Sequence, residues 1–358
     1  MRGRVFSIFL FFLLFGVQLG CQKPETRPYR ETRKVMGTLA EISLYGAPRD
    51  RAEGWVDLGF QELTEVEKSL SFYDSDSQLS QINRSAGHGF FSPDRELRET
   101  LTVVEKAHHM TRGGFDPTVG PLVRIWKKAI QEGRLPSVDE LDLAREFCGW
   151  ESVHKQEDGM DFIGLPHGFV LDLGGIAKGY GVDRAAEKLI SVGVSAGIVN
   201  VGGDLRSWGC PPGRDAFAIG VRHPRRQGEG LAGTLTIQSA SVVTSGDYEQ
   251  GFVHEGTRYS HVVNPRSGWP AQGLLSVTVM AASAALADAL ATGIMALGPQ
   301  DGLAVASKMS QIEVLLFIED QGRLTGYATP GFLASWSPKP GCPEILLLPV
   351  GDSCDNHE

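Results

Sequence analysis

The chain has 358 residues, 42% of them hydrophobic and 22% charged, the profile of a folded protein with a full core rather than a disordered or fibrous one. Its 34 basic residues against 43 acidic ones leave a formal charge of −9, which argues against a general nucleic-acid binder because that function needs a basic footprint. A local cationic pocket for an anionic ligand remains compatible with the balance.

The N-terminus reads as targeting. Arg2 and Arg4 precede the apolar run VFSIFLFFLLFGV, and QLGC then ends at Cys21. A basic start, a short apolar core and a small residue before the cut make residues 1–20 a secretory signal; the alternative is an uncleaved anchor, for which the run is slightly short. Gly20-Cys21 looks like a lipoprotein signal, in which Cys21 is acylated, although Gln18 stands where such signals carry an aliphatic residue. Either way the remainder is exported. Residues 21–30 form a polar, proline-containing tether. Of the other cysteines, Cys148, Cys210, Cys342 and Cys354, the last two are close enough in sequence to close a C-terminal loop, with structural or free thiols as the alternative. No C-x-x-C pair supports a zinc or thioredoxin-like site.

Next, GTLAEISLYG alternates polar and apolar residues as a half-buried strand does. Val56, Phe60, Leu63, Val66 and Leu70 recur at helical spacing. Ser92-Pro93-Asp94 predicts a helix start, with Ser92 as cap, a proline at the first position and an early acid, and Leu97, Leu101, Val104, Ala107 and Met110 form its apolar face, stopped by Gly113-Gly114. From about 169 onward, strand-like runs between glycine turns dominate: FVLDLG, GIVNVGG, FAIGVRH, GTLTIQSASVVTSG, YSHVVNP, LLSVTVMA and EVLLFIED. Helices interrupt them after Gly179 and around 283–297. This mixed order predicts an α+β fold with mixed, largely antiparallel sheets and flanking helices, in one catalytic unit over 31–345 with a tail at 346–358.

The stretch LDLGGIAKGYG places Asp172 and Lys178 around glycines at a helix start. It matches neither the Walker nor the dinucleotide fingerprint. Its glycines still let backbone N–H groups approach an anion, and Lys178 adds a compact positive charge; alone, such a turn is more often ordinary loop chemistry. In ALADALATGIMALG, Asp288 and Thr292 lie four apart and so share a helix face, a pairing of hard oxygens that suits Mg²⁺; taken alone, a solvated aspartate beside a threonine that bonds back to its own helix is the plainer reading. Asp116, Asp204 and Asp247 each follow a tight glycine turn, where an Asx-turn is the plain alternative. Neither a G-x-S-x-G elbow nor H-E-x-x-H is present. Read this far, the residues describe an exported, metal-dependent enzyme acting on a phosphate-containing ligand.

Taken in order, VMGTLAEI, LSFYDSDSQLSQIN, GGFDPTVGPLVRIW, LDLGGIAKGYGVDRAAEKL, NVGGDL, TSGDY, YSHVVNPRSG and ADALATGIMALG resemble the FAD:protein FMN transferase (ApbE) family over roughly residues 33–310. The resemblance implies a T-fold-like domain whose reaction moves FMN from FAD to a client threonine through a phosphoester and releases AMP. It implies Met36 and Tyr73 at the flavin, Gly114, Phe115 and Asp116 at the adenosine, Asp172 on the cofactor, Lys178 at the diphosphate, and His261 and Val262 at the reacting region. It further implies Mg²⁺ on Asp288, Thr292 and the Gly175 carbonyl. Expected clients are subunits of membrane redox pumps and exported reductases. The first candidate for the base is His261, because the reference pKa of histidine lies near neutrality, and Asp247 is the other. Two rivals stand beside transfer: Mg²⁺-dependent FAD hydrolysis to FMN and AMP, and an exported flavin-binding carrier without catalysis.

Overall fold

The computed structural model describes residues 27–156, 159–225, 230–248 and 251–348. The signal segment, Cys21 and Cys354, and with them the expected acylation and the Cys342–Cys354 loop, lie outside the described residues. Cys148, Cys210 and Cys342 carry free thiols.

A nine-stranded sheet forms the spine. Its spatial order is Tyr29–Val35, Thr38–Tyr45, Ala196–Val201, Asp204–Trp208, Ser241–Gly246, Leu274–Ala281, Glu313–Asp320, Arg323–Ala328 and Glu344–Leu347. Every neighbouring pair is antiparallel except the last, which is parallel. The fold is therefore the expected mixed, mostly antiparallel α+β unit. The first strand takes in the last two residues of the expected tether, and the last one carries the chain beyond 345 into the expected tail.

Strand alternation sorts the two faces of this sheet. Val243, Val277, Val279, Val314 and Leu316 face the helical layer. Val242, Leu315 and Phe317 face a three-stranded sheet of Trp336–Pro338, Leu231–Ile237 and Phe217–Arg222. The molecule is thus helices on sheet on sheet.

Three helices make the layer that matters. In Arg49–Leu70, Val56, Phe60, Leu63, Val66 and Leu70 are buried as their spacing predicts. The helix Ala177–Ser191 packs beside it and beside Ala284–Ala306. The last of these breaks at Gly298 (φ 78°), ahead of Pro299, close to the expected end at 297, and resumes beyond it.

Several expectations shift: GTLTIQSASVVTSG divides into Leu231–Ile237 and Ser241–Gly246, which lie in different sheets, and YSHVVNP is strand only as far as Ser260. The helix Arg95–Met110 is capped by Asp94, whose carboxylate accepts the Leu97 N–H at 2.8 Å, not by Ser92. FVLDLG is not a regular strand: Val170 makes one parallel bridge to Val119, and the Asn83 amide brackets Leu171 at 2.7 and 2.9 Å. A side chain there supplies the pairing that a neighbouring strand would otherwise give.

Beside this body, the helix Gly120–Gln131 holds the hairpin Gly251–His254/Thr257–Ser260 through an aromatic cluster. Trp126 lies against Phe252, Tyr259 and Trp269, and its indole N–H donates to the Gly268 carbonyl at 2.8 Å. Among the described residues no helix is long and apolar enough to cross a membrane.

Candidate functional site

The helices Ala177–Ser191 and Ala284–Ala306 cap each other. Asp183 of the first reaches the start of the second, accepting from the Ser283 hydroxyl at 2.7 Å and the Ala285 N–H at 3.0 Å. Asp288 of the second accepts the Gly179 N–H at the start of the first, at 3.1 Å. Each carboxylate thereby satisfies an amide that a helix start leaves open and meets the positive end of the partner's dipole. Gly179 is required for the approach, because a Cβ there would collide with the Ala284 carbonyl and come within 2.8 Å of the Asp288 Cβ.

The expectation of open glycine amides at this turn is modified accordingly. The Gly179 amide is satisfied by a protein carboxylate. Asp172 turns back on its own loop, accepting the Gly174 N–H at 2.8 Å.

Asp288 is 2% exposed. Burial pushes its carboxyl above the ordinary range, while the Lys178 charge and the Gly179 N–H pull the other way. One turn on, Thr292 abuts Gly175: a Cβ on Gly175 would stand 2.8 Å from the threonine hydroxyl oxygen. The Ser245 hydroxyl is 3.5 Å from that same oxygen. Thr292 and the Gly175 main chain thus lie side by side, one helical turn from Asp288.

Lys178 pairs with Asp204, whose carboxylate is 2% exposed. Asp204 opens its strand directly after Gly202 and Gly203, both at positive φ (63° and 106°), a backbone glycine adopts at little cost. Gly202 donates to the Leu39 carbonyl at 3.0 Å, which docks this turn on the one carrying Met36. Met36 is close by, since a Cβ on Gly181 would meet its sulfur at 2.9 Å. Met36, Lys178 and Asp204 thus share a neighbourhood, and the Lys178 charge is felt at Asp288.

Other predicted residues lie on surrounding elements. Gly114 and Phe115 press against the Asp288 helix: a Cβ on Gly114 would come within 2.6 Å of the Gly293 carbonyl, and one on Gly293 within 2.8 Å of Phe115. The Asp116 carboxylate accepts from Thr118 N–H at 2.8 Å, the Thr118 hydroxyl, and Trp150 N–H at 3.1 Å. It lines a cleft of about 670 Å³ with Gly113, His108, Arg145 and Arg266. Tyr73 is 85% exposed and sits edge-on to Phe72, with the Lys127 ammonium 4.9 Å from its ring.

The two base candidates lie at the hairpin. Asp247 lines a second cleft of about 420 Å³ with Arg225, Arg258 and Ser260. Burial raises its carboxyl above the ordinary range, against the pull of Arg225 at 3.1 Å. His261 is exposed just beyond Ser260, and Val262 is buried, its N–H donating to the Ser260 hydroxyl at 3.1 Å.

The donor set fits a hard cation. Among the described residues no three His, Cys, Asp or Glu side chains gather, which speaks against a zinc-type centre. A carboxylate and a hydroxyl one helical turn apart, with a glycine beside the hydroxyl leaving the room a side chain would fill, suit Mg²⁺ completed by further oxygens from main chain, water and phosphate.

Sequence reasoning missed the partners of these groups: Asp204 for Lys178, Asp183 for the second helix start, Ser245 beside Thr292, and Arg225 for Asp247. Asp204 was visible as an acid after two glycines, but nothing in the sequence names its lysine.

A flavin-transferase architecture is what this fold shares with solved proteins. The ApbE protein of Thermotoga maritima aligns with a TM-score of 0.75 at 30% identity, covering 82% of this chain and 94% of its own. The flavin transferase ApbE of Vibrio cholerae aligns with a TM-score of 0.75 at 29% identity, covering 86% and 99%. The ApbE family model matches residues 36–316, and the chain belongs to that family. Among curated relatives, the FAD:protein FMN transferase of Vibrio cholerae is 33% identical over 321 residues, 87% of this chain and 94% of the relative. That of Treponema pallidum is 30% identical over 326 residues, 86% and 90%.

Proposed function

We propose that the protein transfers FMN from FAD to a threonine hydroxyl of a client flavoprotein, with Mg²⁺ as its cofactor. The observation that carries this reading is the convergence of Lys178, Asp288, Thr292 and Gly175 where two helix starts lock together. The family supplies the substrate: its named relatives are FAD:protein FMN transferases.

In the reaction, the threonine oxygen attacks the FMN-side phosphorus. The P–O bond to the adenylate phosphate breaks, AMP leaves with the bridging oxygen, and FMN stays on the client as a phosphoester. A diphosphate resists attack because it repels an approaching oxygen, so charge must be cancelled and the groups aligned. Lys178, held at its helix start, contributes an ammonium to that end. Mg²⁺, held by Asp288, Thr292 and the Gly175 carbonyl, would supply the rest of the neutralisation. Met36 and Tyr73 would line the flavin, Gly114, Phe115 and Asp116 the adenosine, with Asp172 also on the cofactor and Val262 bordering the reacting region. The Asp116 carboxylate already holds three donors, so its part is to shape the loop. His261 takes the threonine proton; Asp247, bound to Arg225, is the second choice for that role.

The N-terminal sequence supports export and a lipid at Cys21, which would hold the enzyme at a membrane facing the periplasm or cell exterior, beside clients such as redox-pump subunits and exported reductases. Membrane release of a Cys21→Ser variant tests the anchor. For the reaction, incubation with FAD, Mg²⁺ and a purified client, followed by intact mass measurement, is decisive. A client gaining one FMN on threonine supports transfer; FMN found only free means hydrolysis, and FAD bound but unbroken means a carrier.

A further inference from the structure

The lysine expected at the diphosphate does not stand alone. Lys178 occupies the second residue of its helix, where the dipole is positive and a cation is disfavoured. The Asp204 carboxylate that pairs with it is 2% exposed, against 31% for the lysine side chain. This carboxylate is carried by a two-glycine turn pinned at both residues: Gly202 N–H donates to the Leu39 carbonyl at 3.0 Å, and Gly203 N–H to the Asn200 side chain at 2.9 Å. A buried acid on a fixed turn therefore meets a flexible four-carbon side chain, so the geometry of the pair is set by the aspartate.

We infer that Asp204 is a positioning residue for the transfer reaction: it holds the Lys178 ammonium in one orientation at the diphosphate site, at the cost of placing a negative charge beside an anionic substrate. The inference rests on the proposed reading of the site as an FAD diphosphate site. It has a signature that follows from charge. Asp204→Asn keeps the shape and removes the negative charge, so FAD binding tightens, while the lysine loses its fixed direction and turnover falls. A merely structural aspartate predicts weaker binding and slower turnover together.

The test compares the full-length protein with Asp204→Asn, Lys178→Met and the double variant, reading AMP release for kcat and flavin fluorescence for FAD affinity. The expected result for Asp204→Asn is a kcat lower by roughly ten- to a hundredfold, as for a misplaced catalytic group, with an FAD Kd about two- to tenfold lower as one repulsive charge is removed. In the Lys178→Met background, Asp204→Asn has no further effect on kcat, because there is no ammonium left to direct. This comparison serves as well if Asp204→Asn alone folds poorly. An unchanged kcat in Asp204→Asn, a raised Kd, or an equal loss of kcat in both backgrounds overturns the inference. If Lys178→Met itself turns over at the wild-type rate, the diphosphate reading fails and the inference with it. If Lys178→Met is impaired and Asp204→Asn is not, the reading stands and the inference alone falls.

Discussion

At the residue scale, proximity enforced by missing side chains does much of the arranging. Gly175 leaves the space in which the Thr292 hydroxyl sits. Gly175→Ala would push a methyl against that oxygen, and the Mg²⁺ concentration for half-maximal AMP release is expected to rise about ten- to a hundredfold, as for other displaced ligands; a metal titration of the variant reads this directly. Cys148 gives a prediction of different kind. Burial, with the nearby Asp116 charge, pushes its thiol up to about 12, and its sulfur donates to the Ala144 carbonyl at 3.4 Å. Since thiolate is the reactive form, its alkylation in the native protein should be slow at pH 8 and quicken about tenfold per unit as pH rises toward that value. Peptide-resolved labelling checks it, and unfolding should abolish the protection. The pairing of Asp288 with Thr292 was legible because four residues along a helix bring two side chains to one face. The pairing of Lys178 with Asp204 was not, because it depends on where a sheet turn lands.

At the scale of elements, the mutual capping of Ala177–Ser191 and Ala284–Ala306 is what fixes the site. Asp183 accepts from Ser283 and Ala285 and also receives the Arg206 guanidinium at 2.7 Å. Asp183→Ala should therefore cost about 2–4 kcal/mol of stability, the range for orphaning a largely buried charged network, with activity falling alongside as the Gly179–Asp288 contact loosens. Urea unfolding with parallel rate measurements tests both. The apolar periodicity of Arg49–Leu70 announced that helix without ambiguity. FVLDLG read as a strand because it is a short apolar run before a glycine turn, yet its pairing is one bridge to Val119 and the Asn83 amide on Leu171, which the run does not reveal. Asp94 displaced Ser92 as the cap of the next helix because its carboxylate reaches Leu97 N–H and also accepts from the Ser69 hydroxyl at 2.8 Å.

At the scale of the molecule, a central sheet with helices on one face and a small sheet on the other places strand, turn and two helix starts around one point. The α+β class was legible in the mix of consecutive strands and interposed helices. The strand order was not, since long connections return the chain from Gly246 and Ala281 to neighbouring positions. The residues of the proposed site come from segments spread between Met36 and Thr292, and only the assembled layers make one site of them. In the proposed reaction this assembly uses a metal held by Asp288 to break FAD at its diphosphate. Rates of AMP release at saturating FAD, measured across Mg²⁺ concentrations for the wild type and Asp288→Ala, test it most directly. Mg²⁺-dependent release in the wild type and a loss on the order of a hundredfold or more in the variant are expected; equal rates in the two proteins, or release indifferent to Mg²⁺, would overturn the proposed reaction.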